Sequence, residues 1–81
     1  MDNNQIIQKI VEALQSNPEF EFPLDDFEKS FRDMGFNSLQ YIQMLVLFEG
    51  LFDIEFENEY LNMDTLYNFN KVVECIKDKV N

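Results

Sequence analysis

The sequence predicts an all-α fold, a small bundle of three main helices plus a short helix, with a long first loop. Three observations carry this. Apolar residues recur at helical spacing toward both ends, at Ile6, Ile7, Ile10, Val11 and Leu14 and again at Phe69, Val72, Val73 and Ile76. The most apolar stretch of the chain, Ser38 to Phe52, lies between them. Asp53-Ile54-Glu55-Phe56 alternates polar and apolar and could be misread as a strand, but one short candidate cannot make a sheet.

The first helix is expected from about Asn4 to Gln15. Ser16-Asn17-Pro18 ends it, because proline disfavours helical geometry in the residue before it and has no N–H to donate. The connection that follows runs to Asn37, contains Pro23 and Gly35, and carries Phe20, Phe22, Leu24, Phe27, Phe31, Met34 and Phe36. So apolar a loop must lie on the core. A short helical turn over Asp25 to Arg32 would set Phe27 and Phe31 on one face. Gly35 then supplies a permissive turn.

The second helix, Ser38 to Phe52, has an apolar stripe wider than one buried face needs. Leu45, Phe48 and Phe52 form an inward row. Leu39, Ile42 and Val46 fall on a neighbouring row that is either an exposed contact surface or a further part of the core. A brief third helix is expected near Asn58 to Asn62, followed by Asp64-Thr65-Leu66 and by Asn68 as an N-cap. The last helix, Phe69 to about Lys79, buries Phe69, Val72, Val73, Ile76 and Val80, and Lys77 and Lys79 near its end suit the helix dipole. No internal repeat or low-complexity tract interrupts this order.

At 81 residues the chain is read as one domain, residues 1–81. Its 46% hydrophobic content, with nine Phe and three Tyr, is enough apolar surface to offset chain entropy without staples. Sixteen acidic residues against six basic ones give a net charge of −10, a field that repels nucleic-acid phosphates and anionic lipid headgroups. Soluble partners with a basic patch suit that field, and so does mere solubility. The chain has no histidine and a single cysteine, Cys75, which argues against a zinc site, an internal disulfide and the usual general base of serine and cysteine hydrolases. Apolar neighbours Val72 and Ile76 make Cys75 packing material before a reactive thiol. Asp25 and Asp26 diverge on any helix, and Glu57 and Glu59 look like solvated surface. A non-catalytic monomer without metal is expected. Met1-Asp2-Asn3-Asn4 lacks the basic and apolar regions of a signal peptide and no apolar run is long enough to span a bilayer, so a cytoplasmic location is expected.

One local sequence stands apart, Asp33-Met34-Gly35-Phe36-Asn37-Ser38-Leu39. It resembles the prosthetic-group site of acyl and peptidyl carrier proteins, in which an aspartate-variable-glycine run leads into Asp-Ser-Leu at the start of the second helix. Gly35 and Ser38-Leu39 match, and Asn37 stands where aspartate is usual. The resemblance extends over nearly the whole chain, since Phe52-Asp53-Ile54-Glu55-Phe56 looks like the family's segment after helix two and Val72-Val73-Glu74-Cys75-Ile76 like its last helix.

The resemblance implies a free-standing carrier whose Ser38 receives 4'-phosphopantetheine from coenzyme A through a phosphopantetheinyl transferase. Gly35, Asn37 and Leu39 would complete the site. Acyl or aminoacyl groups would then ride as thioesters between a loading enzyme and downstream biosynthetic enzymes, with Leu39, Ile42, Gln43, Val46 and Glu49 as partner contacts. A phosphodiester at a helix start lies beside unpaired backbone N–H groups and the positive end of the helix dipole, which accommodate its charge. On spacing alone, Ser38 reads as an ordinary N-cap and Gly35 as an ordinary turn residue, and only the resemblance reverses that reading. Asn37, Gln40 and Gln43 place neutral amides where fatty-acid carriers often have carboxylates. That leans toward a polyketide or nonribosomal peptide type of pathway over fatty-acid synthesis, with an unmodified helical interaction module as the other alternative.

Overall fold

The structure, a computed structural model, describes residues 2–20 and 26–80. Helix α1 spans Asn3–Gln15, a 3-10 turn covers Pro18–Phe20, α2 is the single turn Phe31–Met34, α3 spans Ser38–Phe52, a 3-10 segment covers Asn58–Leu61 and α4 spans Phe69–Val80. Among the described residues there is no strand, and Asp53 to Phe56 is irregular.

Helix α1 starts one residue earlier than the apolar spacing shows, because Asp2 caps it. Its carboxylate accepts the Gln5 N–H at 2.9 Å, while the Gln5 side chain accepts the Asp2 N–H at 3.0 Å. At the other end the Ser16 N–H and hydroxyl both donate to the Glu12 carbonyl and the Asn17 amide donates to that of Ala13, so carbonyls otherwise left open are met before Pro18 turns the chain away. Ile6, Ile10 and Leu14 are buried as expected; Ile7 and Val11 are only half-buried at the edge of the same face.

The helical turn expected over Asp25 to Arg32 is displaced to Phe31–Met34, and the cause is non-local. A helix there would join the Phe31 N–H to the Phe27 carbonyl. Instead the Phe31 N–H donates to the Tyr67 carbonyl at 2.8 Å, and the Phe27 carbonyl accepts the Asn70 N–H at 3.2 Å. The Asn68 amide takes the Glu28 carbonyl as well, at 3.1 Å. With these groups committed to the start of α4, the Asp26 side chain turns the chain by accepting the Glu28 N–H, and Ser30 caps α2 by accepting the Asp33 N–H. Phe27 and Phe31 still converge, each with its ring about the Phe69 ring at centroid distances of 5.0 and 4.9 Å. Asp25, Phe22 and Leu24 lie outside the described residues.

The core joins one face of each long helix to the aromatic residues of the connections. Tyr41, Met44, Leu45, Phe48 and Phe52 of α3 meet Ile6, Ile10 and Leu14 of α1 and Phe69, Val72, Val73 and Ile76 of α4. Phe20, Phe31, Phe36, Phe56, Met63 and Leu66 close it from the loops, as so apolar a set must. The expected inward row of α3 is correct and incomplete, since Tyr41 and Met44 belong with it. The Tyr41 hydroxyl donates to the Tyr60 carbonyl at 2.6 Å and so ties α3 to the Asn58–Leu61 segment. Lys79 reaches the same region from α4, with Nζ 2.8 Å from the Glu57 carboxylate and 5.9 Å from the centre of the Tyr60 ring.

Candidate functional site

Ser38 stands where a left-handed turn hands over to a helix start. Helix α2 closes at Gly35, whose φ of +93° lies in the left-handed region. Its N–H donates to the Arg32 carbonyl at 3.1 Å, and the next N–H, that of Phe36, reaches back to the Phe31 carbonyl at 3.0 Å. This pair of bonds ends the helix and turns the chain. A Cβ added at Gly35 would meet nothing within 4 Å. The glycine is needed for its dihedral angle alone, a simpler role than a close approach of neighbouring backbone. Arg32 steadies the turn by a two-pronged contact with Asp64 at 2.7 and 3.0 Å, which holds the Asp64 carboxyl below its ordinary pKa.

Phe36 is the anchor between turn and helix. Its buried ring lies 5.0 Å from that of Phe31 and 6.4 Å from that of Phe69. Asn37 follows in extended geometry and caps α3: its Oδ1 accepts the Gln40 N–H at 2.8 Å, while Gln40 Oε1 accepts the Asn37 N–H at 3.0 Å. The Asn37 carbonyl accepts the Tyr41 N–H at 3.0 Å as the first bond of the helix. Asn37, not Ser38, is therefore the N-cap. Ser38 is the first helical residue, exposed, and its hydroxyl is relieved of the capping role that the sequence also allowed.

The N–H groups of Ser38 and Leu39 precede the first intrahelical bond, and the first turn of α3 carries no acidic residue. These features fit a phosphate ester on the Ser38 hydroxyl. The helix dipole favours an anion there, and no carboxylate of the same turn opposes it.

Along α3, Leu39 and Val46 are 64% and 58% exposed, so the neighbouring row is open surface at these positions and not core. Gln43 is exposed between them, whereas Ile42 is half-buried and packs against the core. Glu49, grouped with them from sequence, is placed differently. It is half-buried and its Oε2 accepts the Phe56 N–H at 2.8 Å, fastening the chain that leaves the helix at the left-handed Asp53.

Cys75 is half-buried, and burial pushes its thiol above the ordinary pKa, away from the thiolate that reactivity needs. Gln40 is the site residue that sequence analysis passed over as a capping residue. The signal was present, because Asn-x-x-Gln ahead of an apolar run has capping-box spacing. No helix among the described residues is long and apolar enough to cross a membrane.

The family model of the phosphopantetheine attachment site matches residues 4–76. Neither a curated protein nor a solved structure matches the chain. The family match runs from α1 into α4 and so takes in both the helix start at Ser38 and the core behind it. The chain accordingly belongs to the phosphopantetheine-binding family of acyl and peptidyl carrier proteins, whose members bear a covalently attached 4'-phosphopantetheine.

Proposed function

We propose that Ser38 is the residue that receives 4'-phosphopantetheine, and that the chain acts as one carrier domain, holding acyl or aminoacyl intermediates for partner enzymes in a polyketide or nonribosomal peptide type of pathway. The observation that carries the site assignment is the division of labour at the start of α3, where Asn37 caps the helix and leaves the Ser38 hydroxyl exposed. In the loading step Ser38 Oγ forms a bond to the phosphorus next to the pantetheine of coenzyme A. The bond from that phosphorus to the nucleotide portion breaks, and the hydroxyl proton passes to a base of the transferase. Once attached, the group supplies a terminal thiol for thioester formation.

The chain's own contribution is placement. A tethered reactant meets successive enzymes at a high effective concentration, and the bond-making belongs to those enzymes. Support for the pathway type comes from the face beside Ser38, where Asn37, Gln40 and Gln43 are uncharged and Leu39 and Val46 are exposed. Buried apolar contacts on such a face would outweigh rim charges in holding a partner. Intact-protein mass spectrometry after incubation with a broad-specificity phosphopantetheinyl transferase and coenzyme A tests the assignment. One phosphopantetheine is expected on the wild-type chain and none on Ser38→Ala, with helical circular dichroism unchanged. Addition that persists in Ser38→Ala would move the site elsewhere. A folded wild-type chain that several transferases leave unmodified would favour an unmodified interaction module.

A further inference from the structure

We infer that Gln40 is a positioning residue for the modification of Ser38, because its side chain decides which residue caps α3; the inference rests on Ser38 being the attachment residue. Asparagine and serine rank together as N-caps, and here they are adjacent. The helix start therefore has two registers open to it. In the observed one Asn37 caps and Ser38 is the first helical residue. In the other the helix begins one residue later, Ser38 becomes extended, and its Oγ turns inward to accept a backbone N–H of the first turn, the role it must be spared for loading.

The flanks are common to both, because Phe36 and Tyr41 are buried on either side, and the choice is confined to residues 37–40. What separates the registers is the third helical residue. With Asn37 as cap that residue is Gln40, whose amide oxygen closes the box on the Asn37 N–H at 3.0 Å. With Ser38 as cap it is Tyr41, which is wholly buried with its hydroxyl on the Tyr60 carbonyl at 2.6 Å and cannot turn back to close a box. Gln40 thus adds a bond to one register that the other lacks. It sets the fraction of chains in which Ser38 Oγ is free, and a transferase that binds only those chains sees its apparent affinity reduced by that fraction.

The test compares wild type, Gln40→Ala and Gln40→Glu as substrates of one phosphopantetheinyl transferase with coenzyme A, alongside the Ser38 Cα and Cβ chemical shifts of each unmodified chain. Gln40→Ala is expected to raise KM about 1.5- to fivefold, because a lost capping interaction shifts by about three- to tenfold a register ratio that starts in favour of the observed cap, with kcat nearly unchanged. Its Ser38 shifts should move from helical toward extended values. Gln40→Glu, which can close the same box through a carboxylate, should restore both. An unchanged KM in Gln40→Ala would overturn the inference. So would a raised KM with Ser38 still helical, which would make Gln40 a direct contact of the transferase, or a KM that Gln40→Glu leaves high. A wild-type chain that accepts no phosphopantetheine would overturn the Ser38 assignment itself, whereas the cap switch is read separately by the chemical shifts.

Discussion

Tyr41→Phe removes one oxygen from the middle of the molecule and tests how α3 is turned about its axis. Tyr41 is wholly buried, and its hydroxyl donates to the Tyr60 carbonyl at 2.6 Å. Burial first, and the nearby Cys75 second, push its pKa well above the ordinary phenol value, so the group remains a donor at any pH of interest. Phenylalanine keeps the ring and its contact with Phe31, at a centroid distance of 5.6 Å. What is lost is one hydrogen bond, worth about 1 kcal/mol net, together with the cost of stranding its carbonyl partner, about 1–3 kcal/mol if that carbonyl stays dry. Tyr60 is only half-buried, so water recovers part of the second term and a total of about 1–2 kcal/mol is expected. Urea denaturation should show a lower midpoint with an unchanged slope, and the melting temperature should fall by roughly 4–8 °C for each kcal/mol. A loss below about 0.5 kcal/mol, the size of an ordinary surface substitution, would show that the phenol already reaches water. The rotation of α3 that exposes Leu39 and Val46 would then be wrong as well.

Other perturbations probe separate parts of the structure. Phe48→Ala, at a wholly buried position of α3, should cost about 3–5 kcal/mol and leave a large unfolded fraction by circular dichroism at room temperature; a loss under about 1 kcal/mol would contradict its burial. The Glu57 carboxyl is held below its ordinary pKa chiefly by the hydrogen bond from Lys79, so whatever the pair contributes is present above the ordinary carboxylate range and fades as pH falls through the folded-state value. Lys79 is raised in turn, which places the second loss at alkaline pH, as the lysine deprotonates. An NMR titration should show the Glu57 midpoint rising in Lys79→Met, and an unmoved midpoint would dismiss Lys79 as the cause. Val46→Asp, on open surface, should leave the chain folded and modifiable yet impair loading by a cognate partner more than raised salt does. The opposite ranking would make recognition mainly electrostatic. Glu49→Gln is a poorer probe of docking, because the Glu49 carboxylate also accepts the Phe56 N–H.

What the sequence made legible is what local periodicity encodes. The two end helices, the Ser38–Phe52 helix and the Asn68 cap all follow from apolar spacing and capping chemistry, and Asn68 does accept the Lys71 N–H at 2.9 Å. Tyr41 was within reach, since it lies one helical turn before Leu45 on the same face, but an amphipathic side chain gives no clear inward signal. The displaced turn after Phe27 was out of reach, because the groups that decide it lie some forty residues later at Tyr67, Asn68 and Asn70. Lys79 suits the dipole at its own helix end, while its partner Glu57 is distant in sequence. At the candidate site the motif singled out Ser38 as the candidate, whereas the choice of Asn37 as cap depended on geometry that spacing alone leaves open.

The bonds from Phe27, Glu28 and Phe31 to the start of α4 make the shape of one segment depend on the docking of another. A contact that spans forty residues forms only when the intervening chain has been closed into a loop, so loop-closure entropy is spent before the contact offsets it. Before α4 docks, those carbonyls and that N–H are met by water, and nothing prevents residues 27–31 from wandering through other local conformations. The turn Ser30 through Gly35 would then lack its fixed starting point. If Ser38 is the attachment residue, a transferase that requires the finished turn would act only on chains in which α4 has docked, and loading would report on that docking.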